Sequence, residues 1–257
     1  MKFPLFSKVP PALFADRFLA IRADRWQRME AGLYLMAITG WSTAVELYGT
    51  LARAYNLPPK SASVRRVFEQ YLTEYRLIES SRLNFFRTGM RILRLAPPGL
   101  EICQERGWEV KESEWDRLIR LHDGLNQPGH VALILAFARE ARVRGYEVEL
   151  LPDLTSKNTR SEPDIFVHRP GEAAGFYVEI ENVYHKPKPN KWKNMMDLQS
   201  FVALATRTPT SRRRLVEEVK ALHFPVYAVD MKMMIGAKKG PLFSDCWNAY
   251  GEQISAK

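Results

Sequence analysis

The chain has 257 residues, 46% of them hydrophobic, which is enough for one large core or two ordinary ones. Its formal net charge of +9 sets up a field that concentrates polyanions, so nucleic acid or a membrane surface is the expected partner. Cys103 and Cys246 stand far apart with no CxxC or Cys/His spacing, which excludes a disulfide framework and a zinc finger and fits a cytoplasmic protein with reduced thiols.

Residues 1–22 form a proline-containing arm in which Pro4, Pro10 and Pro11 interrupt the apolar run that a signal peptide needs. The apolar stretches Ala31 to Ile38 and Val131 to Ala138 are too short to span a bilayer, and no amphipathic basic helix stands free of a core, so of the two anionic partners nucleic acid is expected and a membrane is not. From Asp24, the residues Trp26, Met29, Leu33, Ala37 and Ile38 recur at helical spacing, and Gly40 follows as a stop. Ser42 or Thr43 caps a second helix containing Val45, Leu47, Leu51 and Ala52, which Pro58 and Pro59 end. Ser61 opens a third helix whose buried stripe is Val64, Val67, Phe68, Tyr71 and Leu72. Its outer face carries Ser61, Ser63, Arg65, Arg66, Glu69 and Gln70. Arg76 to Glu79 then reads as a strand, Ser80 to Gly89 as a loop, and Met90 to Leu95 as a returning strand.

Three helices followed by strand, loop and strand resemble a winged helix-turn-helix, over roughly residues 23–110. That resemblance implies DNA as partner, with the third helix in the major groove and the wing on the backbone or in the minor groove. On the helix, Ser63, Arg65, Arg66 and Gln70 would face bases or phosphates. On the wing, Arg82, Asn84, Arg87 and Arg91 would lie against DNA.

Lys111 to Asn126 suggests a connecting helix, and a domain boundary is expected near residue 112. This divides the chain into an arm (1–22), a first domain (23–112), a second domain (113–240) and a tail (241–257). In the second domain, His130 to Arg144 reads as an apolar helix. Strands are expected at Glu147 to Pro152, Asp164 to His168 and Phe176 to Val183, helices at Lys191 to Ala205 and Thr210 to Leu222, and a last strand at Pro225 to Asp230. The middle two strands form a hairpin that carries acids. Alternation along the second puts Tyr177, Glu179 and Glu181 on one face, and Asp164 heads the first strand. Three carboxylates in a small volume repel unless a positive group sits among them, and a divalent cation bound by hard oxygens is the simplest such group.

The order αβββα(α)β, with Pro163-Asp164 before one strand and Glu179-Ile180-Glu181 on the next, resembles the PD-(D/E)xK nuclease superfamily over roughly residues 128–231. The fold class implied is a two-domain α+β or α/β chain, a winged helix-turn-helix followed by an αβββαβ restriction-endonuclease-like core. Combined in this order, the two domains look similar to replication-relaxation proteins of plasmids and mobile elements. Candidate partners beyond DNA are then a second copy of the chain or other mobile-element proteins.

The resemblance further implies Mg²⁺ or Mn²⁺ held by Asp164, Glu179 and the main-chain carbonyl of Ile180, with Glu140 at the position of a helical acid that some members use. The expected product is a cleaved phosphodiester bond in DNA. The superfamily's lysine is replaced by Glu181, so either this acid takes the role or Lys191 or Lys193 supplies the missing cation from the next helix. The alternative is a regulator or replication accessory that keeps the fold without turnover. Lys186, Lys188 and Trp192 also read as a basic loop that grips phosphates and stacks on an unpaired base. His122, His130, His168, His185 and His223 form no HxH or HExxH spacing and read as structural or surface residues. No GxxxxGK[ST] or GxSxG occurs, which argues against nucleotide hydrolysis and serine chemistry.

Overall fold

The computed structural model describes residues 3–11, 21–86, 89–122, 124–155, 161–183, 186–236 and 240–255. The described residues are of mixed α and β structure with two sheets, and the chain divides into two compact units, Met1–His122 and Asp123–Lys257.

In the first unit, helix α1 (Ala23–Thr39) ends where Gly40 turns left-handed, with φ of 67°, and returns its N–H to the Met36 carbonyl. Helix α2 (Ala44–Ala54) starts beside Thr43, whose hydroxyl meets Glu46. The third helix departs from expectation. It is regular only over α3 (Ala62–Arg66) and then widens into a π-helical stretch, Val67–Leu72, whose extra residue per turn still buries Val67, Phe68 and Leu72. Tyr71, expected in the buried stripe, is half-exposed.

Strand β1 (Ile78–Leu83) runs further than its sequence suggests, into the stretch expected as a loop, and pairs antiparallel with β2 (Met90–Leu95). The Leu93 N–H donates to the Ser42 carbonyl, which ties the segment before α2 to this hairpin. Helices α4 (Pro97–Glu105) and α5 (Glu114–Leu121) complete the unit. Trp26, Met29, Leu33, Leu47, Leu51, Phe68 and Leu72 form a core closed to solvent. Each such side chain contributes about 1.5–3 kcal/mol through burial.

Two expected boundaries move. The first unit extends to His122 rather than ending near 112, because the Glu114 N–H donates to the Gly40 carbonyl and the Trp115 N–H to the Ser42 hydroxyl. The described part of the N-terminal arm is attached to the unit: Phe6 meets Tyr34 and Trp108 edge-on, and Arg106 donates to the Val9 carbonyl.

The second unit begins with helix α6 (Pro128–Val143), whose Val131 to Ala138 run is wholly buried. A six-stranded sheet follows in the order β3-β4-β5-β6-β7-β8. Its strands are β3 (Glu147–Leu150), β4 (Ile165–His168), β5 (Gly175–Glu181), β6 (Val202–Thr206), β7 (Val226–Asp230) and β8 (Asp245–Trp247). Pairing is antiparallel from β3 to β5, parallel from β5 to β7, and antiparallel again at β8. Helices α7 (Pro189–Gln199) and α8 (Pro209–Lys220) make the two crossovers that parallel neighbours require. Trp192 and Met195 of α7 and Leu215, Val216 and Val219 of α8 pack on Tyr177, Val202, Leu204, Val226 and Ala228 of the sheet. A short helix, α9 (Met231–Gly236), follows β7 directly.

Two expectations are corrected here. Lys191 to Ala205 is not one helix: Ser200 adopts a left-handed φ of 63° and stops α7, and the apolar run after it is the fully buried strand β6. The segment expected as a tail contains β8, which extends the sheet. Among the described residues, no helix is long and apolar enough to cross a membrane.

Candidate functional site

The hairpin of β4 and β5 aligns Ile165 with Val178 and His168 with Gly175, which brings Asp164 to the flank of Glu179 and Ile180. Asp164 is buried and accepts the Ile180 N–H at 2.7 Å through one carboxylate oxygen. Its other oxygen lies 3.2 Å from His130 Nε2, in the first turn of α6. Burial alone would push this carboxyl up, but the His130 ring, the Lys191 ammonium and the Ile180 N–H outweigh it and hold Asp164 below the usual aspartate range.

Glu179 and Glu181 are buried on the same face of β5. The first turn of α7 brings Lys191 between them, its Nζ 2.7 Å from Glu179 and 2.8 Å from Glu181. Lys188, the residue before that helix, adds a second ammonium 3.0 Å from Glu181. Opposite shifts result. Burial and the neighbouring Asp164 charge raise the Glu179 carboxyl well above its ordinary value against the pull of Lys191. Glu181, although burial opposes it, is held low by Lys191 and Lys188. Lys191 is itself held above the usual lysine range, because the charges of Glu179, Glu181 and Asp164 outweigh its burial. The positive group that the three acids need is thus supplied by the chain itself.

Local sequence explains why these groups meet. Proline at the start of both α6 and α7 fixes where each helix begins, and so where His130 and Lys191 fall in the first turns. Gly129 lets α6 approach the end of β5 closely, since a Cβ there would stand 2.9 Å from Asn182 Nδ2. The Asn182 side-chain carbonyl is buried with no partner among the described residues. The acids also lie at the N-terminal end of α7, where the helix dipole favours negative charge.

Several expected site residues lie elsewhere. Glu140 is buried, but it pairs with Arg139 and with Arg144, the latter at 2.9 Å. It stands ten residues beyond His130, about 15 Å along the same helix axis. The helical partner of Asp164 is therefore His130, which no spacing signal in the sequence marks. Its position in the helix preceding the sheet, where the nuclease resemblance places an acid, was the one available clue. Lys193 is exposed, two positions from Lys191 and so on another side of α7.

The expected stacking role of Trp192 is contradicted, because its side chain is fully buried and its indole N–H donates to Glu218 at 2.7 Å. Lys186 is exposed, and Lys188 is engaged with Glu181. Gln199, the polar residue near the end of α7, spends its amide on the backbone of Tyr177 and Phe201.

In the first unit, Arg65 and Arg91 both pair with Glu69, at 2.6 and 2.7 Å, so the acid in this face holds two of the expected phosphate ligands. Arg66, Gln70, Arg82 and Asn84 are exposed, and the Ser63 hydroxyl is 2.8 Å from that of Ser61. Arg87 lies outside the described residues.

Comparison with family models, with curated proteins and with solved structures returns no significant match.

Proposed function

We propose that the chain is a DNA-binding protein whose second unit is a metal-dependent nuclease domain. In this reading the first unit is a winged helix-turn-helix, and the second is a restriction-endonuclease-like core of the PD-(D/E)xK kind. The observation that carries it is Lys191, which enters from α7 and stands 2.7 Å from Glu179. The cation missing at position 181 is thereby supplied within reach of both Glu179 and the buried Asp164.

The donor set fits a hard divalent cation such as Mg²⁺ or Mn²⁺. Asp164 and Glu179 offer carboxylate oxygens, and the Glu179 carboxyl is raised first by burial and then by the Asp164 charge, the second of which such an ion would relieve. Asp164 and Glu179 would hold the ion with the Ile180 carbonyl. Bound there, the metal supplies Lewis acidity toward a phosphate oxygen and toward water. Lys191, released from Glu179, is positioned to orient the attacking water and to offset charge on the phosphate. Glu181 keeps Lys191 in place through its 2.8 Å contact. The Ile180 N–H fixes the rotamer of Asp164, and His130 steadies the other oxygen of that carboxylate.

One feature favours a second reading, a regulator or replication accessory without turnover. Glu181 is fully engaged by Lys188 and Lys191, so the acids are compensated without any ion. A cytoplasmic location accompanies either reading and is supported by Cys103 and Cys246, which are both free and buried.

Incubation with single-stranded, double-stranded and branched DNA in Mg²⁺ and in Mn²⁺ separates the readings. Cleavage that disappears in Glu179→Gln and in Lys191→Ala is the expected outcome. Intact DNA under all conditions, with binding retained, leaves the accessory reading.

A further inference from the structure

We infer that the first unit contains a pocket for a phosphomonoester dianion, formed where Ser63 and Arg66 of α3 meet the arginines at the start of α1. The proposal rests on the DNA-binding reading only for the origin of the phosphate, which is either a strand terminus or a free phosphate.

A cavity of about 130 Å³ lies between the start of α1 and α3, lined by Arg25, Arg28, Ser63, Arg66 and Tyr71 together with the pair Arg22 and Asp24. That volume is many times the ~10–15 Å³ needed for one water, and it leaves room for a tetrahedral oxyanion with waters around it. Arg25 and Arg28, three residues apart, lie along one side of α1, and Arg22 stands just before the helix begins. Arg66 faces them from α3.

Charge does not balance inside this cavity. Among the described residues of the lining, Asp24 is the one carboxylate, and Arg22 pairs with it at 3.1 Å. Arg25, Arg28 and Arg66 then remain as three guanidinium groups around a shared space, with no carboxylate at ion-pair distance among the described residues. Arg25 is held over the Tyr71 ring, 4.5 Å from its centroid, which stacks the planar fork and leaves its N–H edge for another partner. The Ser63 hydroxyl adds a further donor. Three like charges lining one cavity repel unless an anion joins them.

The charge and shape of the pocket select the anion. A backbone phosphodiester carries a single charge and is flanked by sugars on both sides, so one or two surface cations suffice for it. A phosphomonoester carries nearly two charges and presents three strong acceptor oxygens on one side. Three forked donors in a recess match the monoester.

The test uses the full chain. Fluorescence anisotropy compares a 3′-labelled oligonucleotide duplex bearing a 5′-phosphate with the same duplex bearing a 5′-hydroxyl, and calorimetry measures binding of sodium orthophosphate. The expected result is a preference of about tenfold for the phosphorylated end, the scale of one charge-assisted hydrogen bond. Orthophosphate should compete for it. Arg28→Gln should reduce the preference toward unity. Arg25→Lys should also weaken it, because the charge is kept and the fork lost, and circular dichroism melting confirms that both variants are folded.

Equal binding of the two ends together with no orthophosphate binding overturns the pocket, and retained duplex affinity in that case leaves the DNA-binding reading intact. Saturable orthophosphate binding that Arg28→Gln weakens, with no affinity for any oligonucleotide, supports the pocket with free phosphate as its ligand and overturns the DNA-binding reading instead.

Discussion

Glu69 in the first unit and Glu181 in the second each hold two cationic side chains, and the two arrangements differ mainly in how much water surrounds them. Glu69 keeps 22% of its side chain exposed, and its partners Arg65 and Arg91 keep 64% and 43%. Glu181 keeps 9% and Lys191 28%, while Lys188 keeps 42%, so the contrast lies in the acid and in Lys191. At the first site water screens the pairs, so the arginines can exchange a carboxylate for a phosphate at little cost. At the second, the charges are committed to each other. Removing one partner there strands the others in a medium that solvates them poorly. In the proposed reading, one motif, an acid between two bases, is an exchangeable surface in the first unit, whereas in the second Glu181 stays committed to Lys191.

The largest effect expected from this contrast is on Lys191. Lys191→Met should leave Glu179 and Glu181 buried without their shared cation and cost about 3–5 kcal/mol, read from urea unfolding. Adding Glu179→Gln to that variant should recover part of the loss. If Lys191→Met unfolds at the wild-type midpoint, the distinction between the two acids collapses.

A smaller effect concerns pH. The folded-state carboxyl of Glu179 lies above its unfolded value, so its contribution to stability is fully present at acidic pH and is lost as pH rises through the folded value. Asp164 and Glu181 lie below their unfolded values, so their contribution is present near neutrality and is lost as pH falls through the folded values. Glu179→Gln removes only the first dependence. Its stability relative to wild type should therefore increase from pH 5 to pH 8 in paired denaturation curves, and a constant difference would count against a raised Glu179.

The smallest effect on folding belongs to the exposed pair. Arg65→Ala should leave the thermal midpoint essentially unchanged, whereas the salt dependence of DNA binding should shallow by about one unit of slope. A marked loss of stability in this variant would place Glu69 with the committed acids rather than the exchangeable ones.

Much of this arrangement could be anticipated from the chain. The helix ending at Gly40, the hairpin of β1 and β2 and the acid-bearing hairpin of β4 and β5 follow from patterns that local chemistry enforces, namely helical periodicity, a left-handed glycine stop and strand alternation. The entry of Lys191 from α7 was one of two lysines anticipated, since both stand just past the strand that carries the acids.

What escaped had tertiary causes. Phe201 to Ala205 has the composition of a helix, and only burial on a parallel sheet makes it a strand, while a serine in the left-handed region is a rare helix stop. Trp192 lies among lysines, so its burial depends on what the opposite side of α7 meets. His130 belongs to the Asp164 environment only because a helix and a hairpin converge, and no spacing along the chain records that. The π-helical stretch of Val67–Leu72 keeps Val67, Phe68 and Leu72 inside and turns only Tyr71 partly outward, so hydrophobic pattern alone does not reveal it.

The short strand β8 has a consequence for how the second unit reaches a safe state. At one end of the sheet, β3 exposes Glu147 and Glu149, charges that discourage another strand from adding there. At the other end, β7 is an apolar run whose free hydrogen-bonding side is covered by Asp245–Trp247, with the Ser244 N–H also donating to the Ala228 carbonyl. A chain interrupted before Asp245 would present Val226–Asp230 as an open template for a second copy, and aggregation would follow from backbone pairing rather than from loss of the core. In the intact chain Ser244–Trp247 take up that side of β7, so the edge is closed by backbone pairing within the unit itself.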